Sequence, residues 1–177
     1  MEMSETLAKL AAGVDLDSDE MTVMMQSIMT GEATPAQIGS ALTALRIKGE
    51  TVEEITAAAR VMRDLASKVP VTHGEMIDTC GTGGSGVSKF NVSTASAIVI
   101  ASAGLKVAKH GNRAASGVSG SADVLEAAGL RLDMSPDAVA ASIEEVGVGF
   151  LFAVNHHSAM KHAIGPRREL KFRTIFN

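Results

Sequence analysis

The sequence has no tryptophan and no tyrosine, and its five phenylalanines are its only aromatic residues. Proteins that grip single-stranded nucleic acid stack bases on aromatic rings, and this chain has few to offer. There is one cysteine, Cys80, which excludes an internal disulfide and an all-cysteine zinc cage. A single thiol fits a reducing, cytoplasmic setting. No apolar run approaches the roughly 20 residues of a membrane-spanning helix. The opening "MEMSETLAKLAAG" lacks the basic segment and apolar core of a signal peptide, so none is expected. Acids are scarce in one place. Between Asp78 and Arg113 the only acid is Asp78, against Lys89, Lys106, Lys109 and Arg113.

What is present is ordinary globular material: 177 residues, 46% hydrophobic, with ten methionines to fill the core. The net charge of -4 is uneven. Residues 1–77 carry 12 acids and 6 bases, whereas residues 78–177 carry 8 acids and 10 bases. The cationic stretch also holds a glycine-rich loop, a combination that points to an anionic ligand.

The first 68 residues read as amphipathic helices. "SDEMTVMMQSIMTG" starts at Ser18, with Met21, Met24, Met25 and Ile28 on one face and Gly31 as its stop. "TPAQIGSALTALRIKG" has Thr34 as N-cap, Pro35 at the first helical position and Gln37 completing a capping box. "TVEEITAAARVMRDLASKV" repeats the device with Thr51 and Glu54. Short links between such helices predict antiparallel neighbours. The methionine stripe reads as packing, not as a metal site.

After residue 70 the pattern changes. "MIDTC" reads as a strand running into "GTGGSGVSKFNVST". "STASAIVIASAG" reads as a helix, with its "AIVIA" run a strand alternative. "LKVAKHG" and "VGFLFAV" read as strands; "GSADVLEAAG" and "SPDAVAASIEEVG" read as helices. Strands alternating with helices imply a parallel sheet with crossover helices.

Glycines at 81, 83, 84 and 86 let a backbone turn and aim several N–H groups at an anion. A helix beginning near Ser93 and Thr94 adds its dipole and two hydroxyls. Such a loop is equally a tight strand-to-helix turn. It matches neither a Walker A loop nor the Rossmann pattern. "KHGNRAASGVSGSAD" supplies Lys109, the planar donors of Asn112 and Arg113, and the hydroxyls of Ser116, Ser119 and Ser121. Both loops are expected at the carboxyl ends of parallel strands, where ligands bind. In "NHHSAMKHAIGPRREL", His156, His157 and His162 have few acids nearby, and Lys161, Arg167 and Arg168 make a basic wall suited to a carboxylate.

The "GTGG" loop with "FNVSTA", "KHGNRA", "GSADVLEA", "GVGFLFA", "HHSAMK", "GPRREL" and "RTIFN" resembles the anthranilate phosphoribosyltransferase family along all 177 residues. Pyrimidine nucleoside phosphorylases share that fold but differ in these loops. The resemblance implies an α/β protein. A helical dimerisation domain spans residues 1–70, followed over 71–177 by the first part of a parallel-sheet domain of the nucleoside phosphorylase and anthranilate phosphoribosyltransferase type. It implies Mg2+-dependent transfer of phosphoribose from 5-phosphoribosyl-1-pyrophosphate to anthranilate in tryptophan biosynthesis, by a cytoplasmic homodimer without membrane attachment. Implied donor contacts are Gly81, Gly84, Ser85, Lys89, Asn91, Val92, Ser93, Thr94, Lys109 and Ser121, with Ser93 a Mg2+ ligand. Implied anthranilate contacts are Gly81, Asn112 and Arg167, with His110 and His157 by the acceptor channel. No general base is assigned.

Two residues depart from the family pattern: Ser85 stands where it has Asp, and Lys89 where it has a small hydroxyl residue. The resulting pocket is expected to be more positive and to bind the donor with less dependence on Mg2+. In the family "RTIFN" runs on into a segment bearing an acidic pair for Mg2+, so this chain is expected to be an N-terminal portion with at most trace activity alone. Two alternatives stand beside the transferase. One is a non-catalytic relative binding nucleic acid or nucleotide phosphates, favoured by Ser85 and Lys89. The other is a helical dimerisation fragment. Intact "KHGNRA" and "GPRREL" favour the transferase, and the acidic net charge and missing aromatics count against nucleic acid.

Overall fold

The computed structural model describes residues 2–72, 74–81, 90–114 and 119–176. In chain order the described elements are α1 (Met3–Ala11), α2 (Ser18–Thr30), α3 (Pro35–Lys48), α4 (Val52–Asp64), α5 (Val92–Ser102), β1 (Val107–Gly111), α6 (Ser121–Ala127), α7 (Pro136–Val146), β2 (Val148–Phe152), α8 (Ala153–His156), a 3-10 turn (Ser158–Met160) and α9 (Lys161–Leu170). They form two compact units, residues 1–66 with 157–177, and residues 67–156. Among the described residues no helix is long and apolar enough to cross a membrane.

The helical unit starts from its caps. Asp17, Thr34 and Thr51 each accept the N3 backbone N–H, and Glu20, Gln37 and Glu54 reach back to the cap. The helices bury Leu10, Met21, Met24, Met25, Ile28, Ile38, Leu42, Leu45 and Ala57, and α9 adds Ala163 to the same core. Each large side chain so buried contributes roughly 1.5–3 kcal/mol, so the methionine stripe is core packing, as its spacing predicts. Gly31 ends α2 with φ 85°, and the His162 ring lies 2.5 Å from where a Cβ would stand, so both backbone and space require glycine. Glu54 is fully buried. Its carboxylate accepts from Leu16 N (2.9 Å), Thr51 N (2.8 Å) and Lys48 Nζ (2.9 Å).

The α/β unit has the expected parallel architecture. β1 and β2 pair from Val107↔Val148 to Gly111↔Phe152. A Cβ on Gly149 would stand 2.6 Å from Ile143 and 2.8 Å from the Val139 carbonyl, so α7 packs closely on β2. "AIVIA" lies within α5, which decides for helix over strand. The strand expected at "MIDTC" is reduced to one parallel bridge, Ile77↔Val107. Beyond it the Asp78 carboxylate, not a backbone carbonyl, accepts the His110 N–H, so the ladder stops after one rung. The third expected strand, "VGFLFAV", ends at Phe152 because α8 begins at Ala153.

Candidate functional site

The carboxyl ends of the parallel segments carry the polar side chains. Ile77 N donates to Lys106 O and Ala108 N to Ile77 O, both at 3.0 Å. One residue on, Asp78 Oδ1 accepts from Cys80 N (2.9 Å) and His110 N (3.2 Å). Thr79 Oγ1 donates to Ser93 O (2.7 Å). The run that delivers Gly81 is therefore tied to β1 on one side and to the start of α5 on the other.

The α5 terminus presents backbone N–H groups and the positive end of a helix dipole. Its N-cap, Asn91, makes no side-chain cap hydrogen bond, and the first turn holds no acid. Asn91 Nδ2 instead donates to Ser119 Oγ (3.0 Å). Among the described residues, Asn91 therefore does not cap the first-turn N–H groups of α5, where the positive end of the dipole lies. Thr94 is 4% exposed, and its Oγ1 has no hydrogen-bond partner among the described residues. A buried hydroxyl left without a bond is costly. Val92 is exposed and Ser93 half-buried beside it.

The loop after β1 folds back on itself. Asn112 O accepts from Ala122 N (3.1 Å). Gly120 fits there because a Cβ would meet the Asn112, Arg113 and Ala114 backbone at 2.5–2.6 Å. Asp123 accepts from Gly120 N (2.7 Å), Ala114 N (2.9 Å) and Arg113 (3.1 Å), closing both ends of the loop. Those bonds hold its carboxyl below the ordinary range, the backbone donors at Gly120 and Ala114 first. Glu126 takes the other side of the Arg113 fork at 2.6 and 2.9 Å. Arg113, expected from the sequence as a ligand donor, is thus spent on positioning the loop. Ser121 is buried at the start of α6.

The cationic stretch is likewise spent in part on structure. Lys106 Nζ donates to the Ile143 and Glu144 carbonyls at the end of α7, where a cation offsets the helix dipole. Lys109 is 2% exposed and donates to His110 O (2.6 Å). Burial pushes its ammonium below the ordinary value against the opposing charges of Asp78 and Cys80. Burial also lowers the His110 imidazole; Asp78 opposes the shift, while Lys109 and His156 add to it. Burial therefore favours the neutral form of the His110 imidazole.

The remaining implied contacts belong to the helical unit. Arg167 is half-buried in the last turn of α9, its guanidinium 5.6 Å from the centroid of the Phe176 ring. Burial lowers its pKa from the ordinary value, yet an arginine so placed stays a cation. His157 is half-buried at the entry to the 3-10 turn, its carbonyl accepting from Met160 N (2.9 Å). His156 lies in the α/β unit and is a core residue, its Nδ1 3.3 Å from Ser67 O. Gly84, Ser85, Lys89 and Ser116 lie outside the described residues.

Sequence reasoning missed Asp78 and Asp123. The signal for Asp123 was its N3 position in "GSAD", where a carboxylate reaches back to its own cap. Asp78 had no comparable signal, because its role depends on β1 lying alongside.

Two descriptions in one family match this chain: glycosyl transferase family, helical bundle domain, over residues 4–66, and glycosyl transferase family, a/b domain, over residues 73–177. The chain is similar to anthranilate phosphoribosyltransferase of Thioalkalivibrio sulfidiphilus, at 62% identity over 177 residues, all of this chain and 52% of that protein. Among solved structures it is similar to anthranilate phosphoribosyltransferase (TrpD) from Thermus thermophilus, with TM-score 0.90 and 44% identity, over 97% of this chain and 52% of that one. It is also similar to the Saccharomyces cerevisiae enzyme in complex with PRPP and Mg, with TM-score 0.89 and 28% identity, over 98% of this chain and 52% of that one. The resemblance drawn from "KHGNRA" and "GPRREL" is borne out. The chain spans about half the length of the curated relatives it matches.

Proposed function

Since the chain belongs to the glycosyl transferase family through both its helical-bundle and a/b domains, we propose that the whole protein transfers the phosphoribosyl group of 5-phosphoribosyl-1-pyrophosphate to the amine of anthranilate. The products are N-(5-phosphoribosyl)anthranilate and pyrophosphate, a step of tryptophan biosynthesis. The observation that supports this reading is the α5 terminus, which Asn91 does not cap, with the buried Thr94 hydroxyl beside it, unpartnered among the described residues. That end suits a polyanion: N–H groups and a hydroxyl donate, and among the described residues no side chain already satisfies Thr94.

Displacement at the anomeric carbon builds positive charge on the ribose and negative charge on the leaving pyrophosphate. The chain's task is to position two substrates and stabilise the leaving group. We assign the donor to Gly81, Asn91, Val92, Ser93, Thr94, Lys109 and Ser121, with Gly84, Ser85 and Lys89 included on sequence grounds. Asp78 and Asp123 hold the backbones around them. On sequence grounds we assign the anthranilate carboxylate to the planar fork of Arg167, and Asn112, Gly81, His110 and His157 to the remaining acceptor contacts. The anthranilate nitrogen is largely unprotonated near neutral pH, so no strong base is required.

The Ser93 and Thr94 hydroxyls are oxygen donors, which suits Mg2+, but the α5 terminus favours an anion. The residues therefore fit Mg2+ when it arrives with the donor's phosphates, with Ser93 holding it. When bound it neutralises charge growing on the pyrophosphate. The protein is further proposed to be a cytoplasmic homodimer formed through the helical unit, where Ile47 is 82% exposed; sedimentation as a monomer at micromolar concentration would contradict this.

Thr94→Val tests the reading. A hydroxyl without a partner among the described residues should be removed at little or no cost in thermal stability. The same change should weaken binding of the phosphoribosyl donor by roughly tenfold, the worth of one charge-assisted bond. Unchanged donor affinity would remove Thr94 from the site. Single-stranded DNA binding that falls steeply with salt, without transferase activity in the whole protein, would favour the non-catalytic relative.

A further inference from the structure

Asp78, Cys80 and His110 bring one ligand atom each within 4.8 Å of one another. The first two have no substrate contact in the proposed transfer. Asp78 Oδ1 accepts from the backbone N–H of both other residues, so one carboxylate oxygen fixes the backbones that carry the thiol and the imidazole. The cluster is reachable, because Asp78 and Cys80 are exposed and His110 is half-buried.

We propose that Asp78, Cys80 and His110 bind a borderline-soft divalent cation of the Zn2+ class. The donor chemistry selects the ion. A thiolate and an imidazole suit zinc and its neighbours, whereas Mg2+ asks for oxygen ligands alone. One cysteine excludes an all-thiolate cage, but mixed sulfur, nitrogen and oxygen sites need only one. Around a tetrahedral zinc, bonds of about 2.0–2.3 Å put ligand atoms some 3.3–3.8 Å apart. Rotation of the exposed Asp78 and Cys80 side chains closes the gap from 4.8 Å. Three protein ligands leave the fourth position to water or to a substrate group, as in open zinc sites.

Binding replaces a proton. The Cys80 thiol gives its hydrogen to solvent, and the sulfur lone pair forms the bond to the cation. Thiolate and carboxylate then place two negative charges on the ion, beside the Lys109 ammonium that interacts with both residues. His110 is shared with the proposed acceptor contacts, but occupancy is measured without turnover, so the outcome of this test does not depend on the transferase reading.

The test is titration of the chain with Co2+, followed by displacement with Zn2+. The expected result is one Co2+ per chain, with a sulfur-to-cobalt charge-transfer band in the near ultraviolet and the visible bands of tetrahedral cobalt. Zn2+ displaces both, and Mg2+ does not. Cys80→Ser should abolish the charge-transfer band. Asp78→Asn and His110→Gln should each weaken Zn2+ binding by about tenfold or more. Circular dichroism of each variant confirms that it is folded. No band in the folded native chain would overturn the proposal. So would binding unchanged in Asp78→Asn and His110→Gln, which means a lone surface thiol, or binding lost instead in His157→Gln or His162→Gln.

Discussion

Glu54→Gln removes one charge from the core of the helical unit and almost nothing else. The native carboxylate is buried against Lys48, whose side chain is only 6% exposed. Breaking a buried pair from one side costs about 3–5 kcal/mol, because the other charge stays behind. Here Lys48 keeps Asp15 at 2.6 Å, but that carboxylate is 64% exposed and screened by solvent. A loss near 3 kcal/mol, the lower end, follows. With a urea slope of roughly 1–3 kcal/mol per molar, the unfolding midpoint should fall by about 1–3 M. Circular dichroism is the suitable probe, since no tryptophan or tyrosine provides a fluorescence signal. Burial raises the Glu54 pKa, but the bonds from Leu16, Thr51 and Lys48 outweigh it, and the net shift is downward from 4.5. A depressed carboxyl contributes stability that is fully present above the unfolded value and lost as pH falls through the folded one. The gap between native and Glu54→Gln proteins should therefore narrow below about pH 4.5. Replacing both partners, Lys48→Met with Glu54→Leu, should recover most of the loss. A midpoint within about 0.2 M of native for Glu54→Gln would refute a charge-paired Glu54.

Two further outcomes bear on the loops. Gly120→Ala drives a Cβ into backbone atoms of residues 112–114 that cannot swing aside; it should cost about 1–3 kcal/mol in unfolding and weaken the phosphoribosyl donor, both read by urea and ligand titration. Arg167→Ala in the whole protein should raise the anthranilate KM roughly ten- to a hundredfold and leave the donor KM nearly unchanged; equal changes in both would place Arg167 outside the acceptor site.

Local chemistry was legible in the sequence where its cause was local. Thr34, Pro35 and Gln37 open α3, and Ser135 with Pro136 opens α7, as their spacing predicts. The "KHGNRA" and "GPRREL" segments carried the family. What the residues did not disclose depends on neighbours brought in by the fold. Arg113 reads as a free donor until α6 turns Asp123 and Glu126 toward it. Lys106 reads as part of an anion site until α7 ends over it. "MIDTC" has strand composition, but a strand exists only as far as its partner's hydrogen bonds, and the Asp78 carboxylate takes the next one. The Thr94 hydroxyl, unpartnered among the described residues, is equally invisible in sequence, since only burial makes it costly.

The most direct measurement is product formation by the whole protein given 5-phosphoribosyl-1-pyrophosphate, Mg2+ and anthranilate. Pyrophosphate should appear in one-to-one ratio with N-(5-phosphoribosyl)anthranilate, with neither formed when anthranilate is omitted. Pyrophosphate release that ignores anthranilate, or no release from a folded protein that still binds the donor, would contradict phosphoribosyl transfer to this acceptor.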